Sequence, residues 1–162
     1  LETIKETQIN EQIANSQITN QILDIAYKSS DDRGNIYEIN SVSGKIEDKN
    51  ENVLILEDVT AKIIIKNYST FLIKSGKAKY NKLNLNTHFF SNVNLYYLNH
   101  SIKSEDLFLK YIDKEIKISN NVVYKNQNNR LKADEIDLDM ITKTSKIYMK
   151  DEKNKVKAFI KN

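Results

Sequence analysis

The chain has no cysteine, no proline and no tryptophan, and among its 162 residues only three glycines and two histidines. Without cysteine there is no disulfide, no thiol nucleophile and no zinc–cysteine site. The compartment stays open, because oxidising compartments also hold cysteine-free proteins. Gly34, Gly44 and Gly76 stand alone, so no glycine-rich loop can cradle a phosphate. His88 and His100 do not pair in any HExxH arrangement, and each reads as a structural or surface histidine. Apolar runs stay short, as in Ile63-Ile64-Ile65 and Val53-Leu54-Ile55-Leu56, far below the roughly 18 residues a membrane helix needs, and no signal-peptide pattern is present. Net charge is only +3, which argues against the broad basic field of a nucleic-acid binder. The chain begins at Leu1 and not at a methionine, and the expectation is that an anchor or export signal lies upstream.

What the sequence does contain is a returning pattern. Ile39-Asn40-Ser41, Ile73-Lys74-Ser75, Ile102-Lys103-Ser104 and Leu131-Lys132-Ala133 each open a unit. A polar residue followed by valine comes next: Asp58-Val59, Asn92-Val93 and Asn121-Val122 place the valine 20 residues after the first landmark, and Lys155-Val156 places it 25 residues after Leu131. A fixed internal length with variable joints predicts one supersecondary element copied in tandem, with a period of about 29 residues. Within the units the apolar residues alternate, as in Val59, Ala61, Ile63 and in Val93, Leu95, Tyr97, with Thr60, Lys62 and Asn94 between them. Period two marks half-buried strands, and Asn-rich stretches such as Asn126-Gln127-Asn128-Asn129 supply turns in place of glycine. The fold class is all-β, one domain able to bury a core. Lysines on outward positions would protect the edges that proline does not.

Residues 1–22 differ. Ile4, Ile9, Ile13, Ile18 and Ile22 form neither a helical stripe nor an alternation, so this stretch reads as a polar tether. Strands are expected from Leu23, with a first hairpin turning at Asp31-Asp32-Arg33-Gly34-Asn35.

Chemistry-bearing clusters are few. Asp134-Glu135-Ile136-Asp137-Leu138-Asp139 alternates carboxylates with apolar residues, the pattern of a strand with one solvated face rather than a calcium loop. Lys74, Lys103 and Lys132 hold the same register in three units. Such lysines either solubilise an outward face or meet the phosphates of an anionic lipid. The apolar face comprises Ile39, Val59, Ala61, Ile73, Ala78, Tyr80, Phe89, Val93, Leu95, Ile102, Leu107, Ile118, Val122, Tyr124, Leu131 and Ile136. It must be covered, either by an opposing sheet as a sandwich core or by an apolar ligand in a cleft. No nucleophile–base pair and no cofactor motif accompany it.

The unit Ile73-Lys74-Ser75-Gly76-Lys77-Ala78-Lys79-Tyr80-Asn81, followed by Phe89-Phe90-Ser91-Asn92-Val93, resembles the repeat of the LptC/LptA/OstA-like family of lipopolysaccharide transport. So does Ile118-Ser119-Asn120-Asn121-Val122 leading to Leu131-Lys132-Ala133-Asp134-Glu135-Ile136. The opening hairpin, Asp31 through Gly44, and Leu56-Glu57-Asp58-Val59-Thr60-Ala61 resemble the LptC-type members most, and the likeness spans roughly residues 23–160. Ser91 and Asn120 stand where the family often has glycine. The resemblance implies an open, twisted β-jelly-roll with a V-shaped, two-sheet cross-section, projecting into the periplasm (residues 23–162) from an inner-membrane anchor that precedes the tether. It implies no catalysis and no cofactor. It implies partners: lipopolysaccharide acyl chains held in the groove listed above, a transporter of the LptB-LptF-LptG type that delivers them, and an LptA-like protein that receives them. The last strand, Lys155-Val156-Lys157-Ala158-Phe159-Ile160, would be the edge that pairs with that receiver. A soluble LptA-like bridge and a closed structural β-sandwich are the alternatives.

Overall fold

The alternation of apolar and polar residues becomes strand along the whole of residues 21–150, the part of the chain that this computed structural model describes. The strands are β1 (Gln21–Ser30), β2 (Ile36–Glu47), β3 (Asn50–Ile64), β4 (Thr70–Asn81), β5 (Thr87–Tyr97), β6 (His100–Lys110), β7 (Glu115–Lys125), β8 (Arg130–Asp139) and β9 (Thr144–Tyr148). The described residues are all-β and contain no helix. All nine strands form one antiparallel sheet in sequence order, so every neighbour in the chain is a neighbour in the sheet. β1 begins at Gln21, two residues before the expected strand start. The remainder of the expected tether, residues 1–20, and the expected edge strand Lys155–Ile160 lie outside the described residues.

Cross-strand partners carry the sequence landmarks into rows. Ile39 pairs with Ala61, Ala61 with Ile73, Ile73 with Leu95, Leu95 with Ile102, Ile102 with Tyr124 and Tyr124 with Leu131, so the four opening residues share one row on the inner face. In the three polar–valine pairs within the described residues, the polar residue has a different role from the alternating position its sequence suggests. Asp58, Asn92 and Asn121 have φ of 52°, 60° and 54°, and Asp24, Ser91 and Asn120 join them at 52°, 64° and 64°. Asn and Asp enter this left-handed region more readily than other non-glycine residues, because their short polar side chains bond locally.

These residues fall where the ladders break, midway along β1, β3, β5 and β7. Pairing lapses at Asp58 opposite Gly76, at Ser91 and Asn92 opposite Glu105, and at Asn120 and Asn121 opposite Asp134. A bulge bends its strand and resets which face the following side chains take. Thus Leu54 and Leu56 before Asp58 are buried, and so are Val59, Ala61 and Ile63 after it, although an unbroken strand would turn the second group outward. The same phase change separates Ile102 and Ser104 from Leu107 and Leu109. At Gly76 the bend brings β4 against β5. A Cβ there would sit 2.9 Å from Ser91 Oγ and 3.0 Å from its carbonyl oxygen, so only glycine fits without displacement.

The bend divides the sheet into a first half, bearing the β1–β2 turn, and a second half, bearing the β2–β3 turn, and it lets the sheet cover its own inner face. Tyr27 on β1 stacks on Tyr80 of β4 with centroids 4.9 Å apart, whereas strands three places apart in a flat sheet are separated by about 14 Å. Tyr37 on β2 meets Tyr111, after β6, edge-on at 4.7 Å. Beside them a buried clasp ties opposite ends of the strands together. The Asp31 carboxylate accepts from the Asn35 backbone N–H (2.9 Å), Asn35 Nδ2 (2.9 Å) and Tyr37 Oη (3.1 Å), and Lys114 Nζ lies 3.4 Å away. Lys114, in the β6–β7 turn, is 5% exposed and its ammonium sits 4.1 Å from the Tyr111 ring centroid. Asn35 Oδ1 accepts from the Lys66 backbone N–H at 3.0 Å, which brings in the β3–β4 turn. Burial opposes ionisation of Asp31, but the bonds from Asn35 and Tyr37 and the charge of Lys114 outweigh it, so the carboxyl is held below its ordinary 3.8. Burial first, then the neighbouring Asp31 charge, pushes the Tyr37 phenol well above its usual range and keeps it a donor.

Two outcomes follow from these features. Because the Asp31 pKa is lowered in the folded state, its contribution to stability is fully present above the ordinary 3.8 and is lost as pH falls through the folded value. Lys114→Met should lower stability at neutral pH by about 2–4 kcal/mol, read from the urea midpoint, and Asp31→Asn should flatten the decline in stability below about pH 4. At the bend, Asn92→Val should cost about 1–2 kcal/mol with an unchanged urea slope, because a β-branched side chain resists φ near 60°. Asn92→Gly should stay within about 0.5 kcal/mol of the parent.

Candidate functional site

Burial along the inner rows is uneven, and that unevenness locates the site. In the row Leu56, Ala78, Phe89, Leu107, Ile118, Ile136 and Ile147, the members from β3 to β8 are no more than 2% exposed, while Ile147 on β9 is half-buried. The row carrying the opening landmarks behaves likewise: Ile73 and Leu95 are buried, but Tyr124 and Leu131 are partly open. Toward β1 and β2 the two halves are in contact, with only a cleft of about 30 Å³ between them, room for a single water. Toward β7–β9 the halves part and enclose a cavity of about 560 Å³, well within the range of small-molecule pockets.

The first half supplies one wall of this cavity through Phe71, Leu95, Tyr97, Ile102, Tyr124 and Leu131. The second supplies the other through Ile136, Leu138, Met140 and Ile147. Aromatic rings line the first wall in a nearly continuous run. Phe71 stacks on Tyr97 at 4.5 Å, Tyr97 lies 6.1 Å from His100, and His100 lies 5.7 Å from Tyr124. The imidazole is held by its Nδ1, 2.6 Å from the Tyr124 hydroxyl, and that hydroxyl accepts from Asn126 Nδ2 at 3.1 Å. Burial first, and then its hydrogen bond to Tyr68, pushes the Tyr97 phenol up to about 12, so this phenol stays neutral through the physiological range. Polar groups gather at the rim. Arg130, Asp139 and Lys143 border the cavity, and Lys143 Nζ reaches across to lie 4.2 Å from the Tyr68 ring centroid, linking the β8–β9 turn to the β3–β4 turn.

Of the residues expected on the apolar face, Leu95, Ile102, Tyr124, Leu131 and Ile136 line the large cavity. Ile39, Ala61, Tyr80 and Phe89 line the narrow cleft at the other end. Val59, Ile73, Ala78, Val93, Leu107, Ile118 and Val122 are buried among one another and border neither space. Phe71, Tyr97, Leu138, Met140 and Ile147 join the cavity although the expected groove did not include them. The first three sit two positions from Ile73, Leu95 and Ile136 on the same strand face, so the alternation itself pointed to them. His100 belongs to the cavity wall, whereas His88 is on the outside, 2.7 Å from Asp106 Oδ1 and stacked on Phe108. No cluster of three or more potential metal ligands exists among the described residues.

Chemically, the site is an apolar trough with one aromatic wall and a mixed-charge rim. It offers surface rather than directed hydrogen bonds. No family model matches the chain, and no curated protein matches it.

A residue that faces a void loses fewer contacts on truncation than one packed on all sides. Leu107→Ala, at a fully buried position, should therefore cost about 3–5 kcal/mol in a urea titration, while Ile102→Ala at the cavity wall should cost about 2 kcal/mol or less.

Proposed function

We propose that this chain carries an amphiphilic lipid, lipopolysaccharide, in the cavity between its two half-sheets, as an LptC-like bridge. The observation that supports the reading is the apolar trough of about 560 Å³, open at one end of a sheet whose other end is packed shut. Acyl chains gain about 0.8 kcal/mol for each methylene removed from water, without any need for directed polar partners. A wall of Phe71, Leu95, Ile102, Ile136 and aromatic faces suits a chain that must enter, slide and leave. Arg130 and Lys143 at the rim suit the phosphates such a lipid carries.

In this reading the bent sheet is an open, V-shaped β-jelly-roll of tandem units, anchored to the inner membrane and standing in the periplasm. It would take lipid from a transporter of the LptB-LptF-LptG type and yield it to an LptA-like carrier through an edge strand. The chain performs no chemistry on its load; energy comes from the transporter. A closed structural sandwich is the competing reading, favoured by the tight packing around Leu56 and Phe89 and disfavoured by the cavity.

The test is site-specific photocrosslinking. A photoreactive side chain at Ile147 should capture lipopolysaccharide, one at outward Lys79 should not, and Ile136→Asp should cut capture from Ile147 by at least about ten-fold because a carboxylate then lies against acyl chain. Equal capture from Lys79, or none from Ile147 in folded protein, would refute the groove.

A further inference from the structure

Charge is distributed unequally over the outer faces of the two half-sheets. On the first half, two adjacent cross-strand rows run over β1–β8. One contains Lys62, Lys125 and Arg130; the next contains Lys74, Lys103 and Lys132. With Lys28 these rows hold seven cations and a single carboxylate, Glu38, which is bound to Lys28 at 3.0 Å. The other six form no ion pair among the described residues. The second half is different: its two outer rows set Lys45, Lys77, Lys79, Lys117 and Lys146 against Glu57, Asp106, Glu135 and Asp137, with Lys79 bound to Glu47 at 2.6 Å and Lys117 to Glu135 at 3.1 Å. A net charge of +3 conceals this division.

From this geometry we infer that the outer face of the first half-sheet docks on an anionic phospholipid surface. Lys74, Lys103 and Lys132 sit on alternate strands of one row, so successive members are about 10 Å apart, a spacing at which each can meet a separate headgroup. The face is part of a sheet and offers no concave groove to grip a polynucleotide. Tyr96 stands between the cations in the first row, 42% exposed, and Leu98, at the β5–β6 turn of the same half, is 74% exposed. Lysines around an exposed aromatic and an exposed leucine match a charged interface with an apolar layer just beneath it. Arg130 belongs both to this face and to the rim of the cavity, so a bilayer seated here lies beside the cavity's opening. The docking does not depend on what the cavity holds.

Cosedimentation of the whole chain with vesicles tests it. Binding is expected to vesicles of phosphatidylcholine containing phosphatidylglycerol, not to phosphatidylcholine alone, and to weaken as salt is raised. Replacing Lys74, Lys103 and Lys132 together by Gln should reduce that binding by about a hundred-fold, since each cation near an anionic surface contributes about five-fold. The control Lys79→Gln with Lys117→Gln removes two cations from the other half and should leave binding within about two-fold, since both are already neutralised. Unchanged urea midpoints establish that the variants are folded. No preference for anionic vesicles, equal losses in triple variant and control, or stronger capture by a single-stranded oligonucleotide at the same ionic strength would each overturn the proposal.

Discussion

An apolar sheet face in water has to be covered, and here the sheet must cover itself, because the described residues contain no helix to do it. Everything else depends on the row of left-handed residues that makes this possible. Each such residue costs about 1–2 kcal/mol when it is not glycine, whereas a fully buried Leu, Ile or Phe side chain contributes about 1.5–3 kcal/mol. Burying Phe89, Leu54, Leu56, Ile63, Ile73, Leu107, Ile116 and Ile118 offsets the cost of six strained positions. The choice of Asn, Asp and Ser at the bend keeps that cost near its lower end.

Bending alone does not decide where the molecule is closed. The two halves overlap with an offset of several strands, so Tyr27 and Tyr37 from the beginning of the sheet reach Tyr80 and Tyr111 in its middle. The Asp31–Lys114 clasp locks that end, where the turns of β1–β2, β3–β4 and β6–β7 converge. The same offset leaves β8 and the short β9 to face the wider first half, with too little second half-sheet among the described residues to fill the space. The cavity is the geometric remainder of a tight join made elsewhere.

The sequence made the sheet legible and the cavity only partly so. Period-two alternation identified strands, and the spacing of Ile39, Ile73, Ile102 and Leu131 anticipated residues that share one cross-strand row. Asp58, Asn92 and Asn121 were visible as landmarks, but a polar residue before valine looks the same whether the chain runs straight or bends. Lys114 gave no signal at all, since its partner Asp31 is 83 positions away and reads as a turn residue. Nor could pattern separate Leu107, packed on every side, from Ile102, which borders empty space. Both are apolar residues on the inner face of the same strand, and the difference arises from how far the two halves overlap, a property no local spacing records.

The unbroken strand order β1 to β9 carries a consequence for how the molecule is made. Each strand pairs with the one synthesised just before it, so no strand must wait for a distant ladder partner. A chain emerging from its N-terminus can add hairpins one at a time, and the β6–β7 turn that carries Lys114 arrives when Asp31 is already in place to receive it. Apart from the outer edge of β1, the edge that is newest at any moment is the one still unpaired, so the growing side always pairs with the strand that comes next. Growth by accretion at a single margin makes vectorial synthesis and final architecture follow the same path.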